Sequence, residues 1–170
     1  MANKLPGFIL KDCTLNLDGE MRIGQCSEIV LPVMEEKMEE FRNAGMIKPR
    51  EVMLGYEKTE SSFKETAFDP VAMRLFGVAV GRNTNIIAYG YLESEDGSES
   101  DARAEMVCRI KKVDAGSWAP GEKAESEYGI AVHSYRLFVG GEEIYALDDF
   151  EFSVGGVVRQ PGRRTALRLA

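Results

Sequence analysis

Alternation of apolar with mostly polar residues governs the second half of the chain and restricts the folds open to it. In residues 104–110 every second side chain is apolar. Side chains two positions apart share one face of a β-strand, so this pattern predicts a strand rather than a helix. The segments 84–93, 125–139 and 142–147 are equally rich in β-branched and aromatic residues, which favours further strands. Gly140-Gly141 predicts a turn between the last two.

The first half of the chain predicts strands and one clear helix. Residues 8–17 have strand composition. Asp69 is a good N-cap, and Pro70 suits the first helical position. Apolar residues at helical spacing follow, so a helix is predicted over residues 69–80.

Residues 34–42 are ambiguous. Met34, Met38 and Phe41 fall at helical spacing, and the Glu, Lys and Met content of the segment also favours a helix. The local pattern therefore predicts a second helix at 34–42, followed by a loop at 43–49. The fold class predicted overall is mainly β with one short α-helix, arranged as an antiparallel β-sandwich or barrel.

The size and composition of the chain fit a single domain. Its 170 residues include 44% hydrophobic residues, enough for one core, so residues 1–170 are predicted to form one domain. No apolar run approaches the roughly 20 residues of a membrane helix. Residues 1–20 also lack the basic and apolar blocks of a secretory signal. We expect a protein that acts where it is made, or leaves the cell by another route.

The residues that usually carry chemistry are scattered. His133, the only histidine, lies within a predicted strand, where a structural role is far more common than catalysis. The three cysteines, Cys13, Cys26 and Cys108, lack the spacing of a zinc site and are expected to be reduced and mostly buried. Adjacent acids on a strand point to opposite faces and do not converge on one substrate. We expect no enzyme activity and no catalytic, cofactor or metal site.

Charge is unevenly distributed along the chain. The net charge of -7 argues against a free-standing nucleic-acid binder. Residues 93–105, the acidic stretch, carry six acids and one arginine. Residues 159–170, the basic tail, carry no acid and four arginines: Arg159, Arg163, Arg164 and Arg168. Either the two segments meet between copies of the chain, which makes these arginines candidates for inter-subunit contacts, or both are simply solvated.

Three ordered stretches resemble a known family. The first runs through Glu28-Ile29-Val30-Leu31-Pro32, Phe41-Arg42-Asn43-Ala44-Gly45-Met46 and Met53-Leu54-Gly55-Tyr56-Glu57. The second is Lys112-Val113-Asp114-Ala115-Gly116-Ser117-Trp118 with Gly121-Glu122-Lys123-Ala124-Glu125, and the third is Ser134-Tyr135-Arg136-Leu137 through Gly141 to Leu147-Asp148. Their order and spacing are similar to those of the major tail tube protein of contractile-tailed bacteriophages and the tube protein of R-type pyocins. The ending, residues 165–170, departs from the family pattern.

The resemblance implies six subunits per ring, stacked into a tube around a lumen. Residues 28–63 are then one long β-hairpin with arms at 28–43 and 47–63, and it joins a β-barrel shared by the hexamer. This implication replaces the local helix prediction at 34–42. A strand of sixteen residues spans roughly 53 Å, and its edges need partners from other subunits.

The resemblance also suggests roles for individual residues. Acids of the hairpin are candidates for lining the lumen: Glu35, Glu36, Glu39, Glu40, Glu57 and Glu60. Loop residues are candidates for contacts between rings: Asn43, Gly45, Met46, Lys48, Asp114 and Trp118. Trp118 fits two interpretations equally, an exposed anchor for a partner or a plug at the end of the sheet.

The expected partners follow from the same resemblance. They are other copies of the chain, the tail sheath protein, baseplate and tail-terminator proteins, a tape-measure protein inside the lumen during assembly, and DNA that passes without specific binding. The expected location is the tail of a virion or tail-like particle, made in the bacterial host cytoplasm. Two rival functions remain open from the residues: a tube subunit of type VI secretion and a small ligand-binding β domain.

Overall fold

The computed structural model of the chain describes residues 7–169. It is mainly antiparallel β-sheet with two short helices, which confirms the predicted fold class. The elements are β1 Phe8–Leu17, β2 Glu20–Arg22, β3 Cys26–Val30, β4 Glu36–Phe41, β5 Arg50–Tyr56, β6 Glu60–Glu65, α1 Pro70–Arg74, β7 Thr84–Ser94, β8 Glu99–Asp114, β9 Ser126–Val139, β10 Glu142–Leu147, β11 Phe152–Val154, β12 Val157–Val158 and α2 Pro161–Leu167.

Ten strands form one sheet that forks at β9. The main order is β12-β11-β10-β9-β8-β7-β1-β2, and β6 and β3 branch from β9. The first half of β9, residues 126–131, pairs with β6, while residues 135–139 pair with β10. One long strand thus carries two different neighbours on the same edge, which divides the molecule into two halves.

The half that contains β6 closes on itself. The strands β2 and β3 stand at opposite ends of the order β2-β1-β7-β8-β9-β6-β3, yet only residues 23–25 separate them in the chain. The sheet therefore curls until its edges meet, enclosing the buried side chains. Met106, Cys108 and Ile110 lie inside, as their alternation predicts. Phe63 and Tyr128 stack across the β6–β9 pair with ring centroids 4.6 Å apart.

The helix α1 begins where the sequence predicts and ends earlier. Asp69 accepts a hydrogen bond from the Val71 N–H at 2.9 Å, as an N-cap does. The prediction that the helix extends to residue 80 is wrong, because it ends at Arg74. The segment after it bends at Gly77, which has φ +77°, and Arg109 donates to the carbonyls of the next two residues at 2.6 and 3.3 Å.

The helix predicted locally at 34–42 is absent, and residues 36–41 form β4. The hairpin implied for residues 28–63 is present in two pieces. β3 pairs with β6 within the main sheet, and β4 pairs with β5 as a separate two-stranded sheet. The strands of both arms are interrupted, at residues 31–35 and 57–59, and Pro32 in the first interruption is buried. Between these two interruptions the one backbone hydrogen bond runs from the Glu57 N–H to the Glu35 carbonyl at 2.9 Å.

The basic tail is folded rather than extended. It begins after β12 and contains α2, a helix that the sequence analysis did not predict. Among residues 7–169, no helix is long and apolar enough to cross a lipid bilayer.

Candidate assembly surfaces

The β4–β5 hairpin projects from the body with little cover. None of its strand residues is fully buried. Leu54 is 60% exposed, and Ile47 in the connecting loop is 96% exposed. Within the described part of the chain, each of these strands pairs only with the other. Both outer edges therefore present backbone N–H and C=O groups that can bond to another strand.

The two faces of the hairpin differ in charge. Residues directly opposite each other share a face, and an irregularity in the register lies between Lys37 and Met38. One face, the acidic face, consists of Glu36, Met38, Glu40, Glu51, Met53 and Tyr56. The other face consists of Lys37, Glu39, Phe41, Arg50, Val52 and Gly55. Glu40 stands directly opposite Glu51, a like-charge pair that weakens an isolated hairpin.

This register separates the six lumen-lining candidates. Glu36 and Glu40 share the acidic face, whereas Glu39 lies on the other face. Glu35 and Glu57 lie at the base of the hairpin, where their backbones bond to each other. All of them are exposed, but they do not form one acidic wall.

The sixth candidate, Glu60, is already paired within the chain. It lies on β6 in the main sheet and accepts from Lys58 Nζ at 2.9 Å and from Lys111 of β8. The hydrogen bonds from Lys111 and Lys58 hold the pKa of this carboxyl below its usual value. Lysines of the same subunit therefore largely neutralise the charge of Glu60.

One aromatic contact seats the base of the hairpin on the body. The rings of Tyr56 and Phe152 meet edge to face with centroids 4.9 Å apart, and Phe152 in turn stacks near Tyr145 at 6.3 Å. Beside this contact a groove of about 610 Å³ separates the hairpin base from β9 and the C-terminal segment, and His133 lies on its rim. The hairpin is thus attached on the β11 side of the sheet.

The basic tail makes its main contacts within the chain. Arg163 donates to the carbonyl of Phe150 at 2.7 Å, and Arg164 pairs with Glu151. These contacts hold α2 against the loop after β10. The nearest acidic partner of the tail is therefore Glu151, rather than a residue of the acidic stretch.

The loop candidates for inter-ring contacts lie in two separate places. Asn43, Gly45, Met46 and Lys48 form the hairpin tip, where the Met46 N–H bonds to the Asn43 carbonyl at 3.1 Å. Asp114 lies at the end of β8 and accepts from the Gly116 N–H at 2.9 Å. In the loop that follows, Trp118 is 78% exposed, and its ring lies edge to face with that of Phe68 at 5.2 Å between the ring centroids. Of its two interpretations, the exposed position agrees with an anchor rather than a plug.

A buried ionic cluster was not found from the sequence. Arg22 of β2 lies 2.8 Å from the Asp69 carboxylate, and Glu65 of β6 is fully buried beside them. Burial, reinforced by the Asp69 charge and opposed by Arg22, raises the pKa of Glu65 to about 7. The cluster joins residues from separate parts of the sequence, so no local motif indicates it. It lies at the seam where the curled sheet closes.

Among the residues 7–169, no group of three or more His, Cys, Asp or Glu side chains is placed to hold a metal ion. Burial raises the pKa of the Cys108 thiol to about 12 and that of Cys26 to about 11, which keeps both protonated at neutral pH.

Comparison with known proteins agrees with this description. The family described as phage tail tube protein FII matches residues 8–167. The tail tube protein of Escherichia phage P2 is 27% identical over 167 residues, covering 94% of this chain and 96% of that protein.

Two solved structures share the fold at 9% sequence identity. One comes from the cryo-EM structure of the PVC sheath/tube terminator of an extracellular contractile injection system, in the extended state. The match has a TM-score of 0.58 and covers 75% of this chain and 94% of the solved chain. The other comes from the PVC sheath-tube complex in the extended state. This match has a TM-score of 0.56 and covers 74% of this chain and 87% of the solved chain.

Proposed function

The chain belongs to the family of phage tail tube protein FII, and from this premise we propose that its copies join side by side into six-membered rings that stack into the inner tube of a contractile tail. Membership in the family makes it a structural subunit of a tail tube. The ring size, the contents of the lumen and the contacts between subunits are the proposed parts.

The observation that carries the proposal is the β4–β5 hairpin. Thirteen strand residues pair only with each other among the described residues, none of them is fully buried, and both edges are open. An isolated two-stranded hairpin is marginally stable in water. A ring removes this weakness, because each hairpin then lies between strands of adjacent subunits and a closed barrel has no free edges.

The total exposed surface supports association on several sides. The chain exposes 11787 Å², whereas a compact monomer of 18.9 kDa exposes about 8,300 Å². The excess of about 3,500 Å² compares with about 800 Å² buried per partner in a standard interface. An excess of this size fits a non-compact subunit that buries surface against other copies.

A six-membered ring leaves room for duplex DNA. With four strands per subunit, 24 strands at about 4.8 Å give a circumference of roughly 115 Å and a backbone radius of about 18 Å before tilt. Side chains take about 6 Å of this radius, and the duplex needs on the order of 10 Å. Six chains of net charge -7 give -42 per ring, and where acids of the hairpin face the lumen, phosphate is repelled rather than bound. DNA or a tape-measure protein can then slide.

The partners outside the tube follow from the place of such a subunit in a tail. We infer a sheath around the tube, a baseplate at one end, a terminator at the other, and synthesis in the cytoplasm of the bacterial host. In support, the solved structures that share the fold come from a sheath/tube terminator and a sheath-tube complex.

Negative-stain electron microscopy of the purified protein at increasing concentration tests the proposal. We expect rings, then hollow tubes, with sixfold symmetry in end views. A variant with the hairpin tip 43–48 replaced by a short Gly-Ser turn keeps both hairpin strands and removes four inter-ring candidates, so it should form rings that stack less readily. A protein that stays monomeric at every concentration, or closes rings of another order, contradicts the proposed assembly.

A further inference from the structure

The outer edge of β1 is open over its first five residues. β1 pairs with β7 along residues 8–17, but on its other side β2 covers only Leu15–Leu17. In the part of the chain that the structure describes, no strand pairs with Phe8–Asp12 on this side. These residues therefore present unpaired backbone groups at the margin of the largest sheet.

Three consecutive apolar side chains occupy this edge. Phe8 is 44%, Ile9 50% and Leu10 57% exposed. Apolar side chains that are exposed to water on both faces of a strand cost free energy, so the pattern indicates that this edge needs cover beyond the described residues. The register with β7 shifts between Leu10 and Asp12, leaving Lys11 unpaired. A bulge and an edge lysine are features that restrict unspecific strand addition, so the edge suits a strand of matched geometry.

The hairpin of the same chain lies on the other side of the sheet. Its base contacts Phe152 of β11, and five strand-to-strand steps separate β11 from β1 in the pairing order. Counted along the sheet at about 4.8 Å per step, this is a path of roughly 24 Å. An open edge on one side and a projecting hairpin on the other are the two unlike surfaces that a head-to-tail ring requires.

We propose that the open edge of β1, Phe8–Asp12, accepts the outer edge of β5 from the neighbouring copy, so that one continuous sheet crosses each subunit boundary. This inference rests on the proposed ring and adds which strands join. Of the two hairpin strands, β5 is the better donor. Only two of its seven residues are charged, and Val52 and Leu54 are exposed, whereas four of the six residues of β4 are charged.

Disulfide trapping between two singly substituted chains tests the junction. One chain carries Ile9→Cys or Leu10→Cys and the other carries Val52→Cys or Leu54→Cys, all in a Cys13→Ser, Cys26→Ser background. Cys108 stays, since it is buried and its thiol is hard to ionise. After mixing, assembly and mild oxidation, we expect a cross-linked heterodimer at least tenfold more abundant than with Ile23→Cys in place of the β1 cysteine. Ile23 is also exposed but lies outside the edge.

A complementation experiment keeps the inference testable if the cysteine background folds poorly. Ile9→Asp/Leu10→Asp spoils the acceptor edge, and Val52→Asp/Leu54→Asp spoils the donor edge. Each protein alone should stay monomeric with an unchanged circular dichroism spectrum. The mixture retains one intact junction and should give 1:1 dimers that grow no further.

The two proposals fail in different ways. If the parent protein forms tubes but none of the four cysteine pairs cross-links above the Ile23 control, the β1–β5 junction is wrong and the tube remains. If both aspartate variants assemble like the parent, the junction is equally wrong. If the parent protein forms neither rings nor tubes, the proposed assembly itself is overturned.

Discussion

Tyr56, the last residue of β5, packs edge to face against Phe152 of β11 with ring centroids 4.9 Å apart. The hairpin bonds to the main body at few points, so this contact has a large share in setting its direction. An aromatic pair of this geometry contributes about 0.5–1.5 kcal/mol beyond the area that it buries. The angle at which the hairpin meets a neighbour therefore depends on residues far apart in sequence.

Replacing Tyr56 by Ala should impair assembly more than folding. We expect the free energy of unfolding to fall by about 2 kcal/mol, from the lost aromatic pair and the lost burial of the ring, while the concentration needed for tube formation rises at least tenfold. Chemical unfolding and sedimentation measure the two quantities. Tyr89→Ala removes an exposed ring from β7 and should leave assembly nearly unchanged. Equal effects of the two variants on assembly would contradict the role of Tyr56.

Glu65→Gln should stabilise the fold at alkaline pH. The folded-state pKa of Glu65 is raised to about 7 from its ordinary 4.5, so the folded state binds this proton more tightly than the unfolded state. Stability contributed by the protonated group is complete below about pH 4.5 and is lost as pH rises through 7. The glutamine variant should be roughly 1–3 kcal/mol more stable than the parent at pH 8.

Urea unfolding at pH 5, 6, 7 and 8 measures this difference. The gain from Glu65→Gln should shrink towards pH 5, because the parent carboxyl is then protonated. Glu142→Gln is the matched control, since Glu142 is exposed, and it should show no such trend. A constant difference at all four pH values would rule out titration of Glu65 as the cause.

Gly116→Ala should destabilise the β8–β9 loop. Gly116 has φ +69°, and a Cβ placed there would lie 2.3 Å from the carbonyl oxygen of Glu125. The backbone on both sides must shift, so we expect a loss of about 2–4 kcal/mol. Gly121→Ala, at φ +85° with open space around it, should cost only about 1 kcal/mol. Thermal unfolding of both variants separates the clash from the dihedral strain, and equal losses would exclude the clash.

Hydrogen exchange should distinguish the hairpin from the core. In the monomer, amides of residues 36–41 and 50–56 should exchange rapidly, because these strands are exposed and pair only with each other. In tubes their exchange should slow at least a hundredfold. Residues 104–108 of β8 lie between two strands and should be protected in both states. Rapid exchange of the hairpin in tubes would show that its edges stay open.

The prediction for residues 34–42 shows where local sequence is a poor guide. Met38 and Phe41 have helical spacing, and Glu and Lys favour a helix, yet the segment is β4. Pairing with β5 and the turn at Gly45 override that weak preference. The resemblance to a family predicted the hairpin, whereas helix propensity by itself could not.

The sequence by itself determined the antiparallel β class, the start of α1 at its Asp69–Pro70 cap, and the alternating core residues of β8, because these depend on contacts between near neighbours in the chain. Only the tertiary structure decided the fork at β9, the buried Arg22–Asp69–Glu65 cluster and the open edge of β1. It also decided that Glu60 and Arg164 each pair with a residue of opposite charge in the same chain. The fork, the cluster and the ion pairs depend on contacts between separate segments of the chain, and the open edge of β1 depends on where such contacts end. Their geometry is fixed by how the sheet curls and not by the local pattern of side chains.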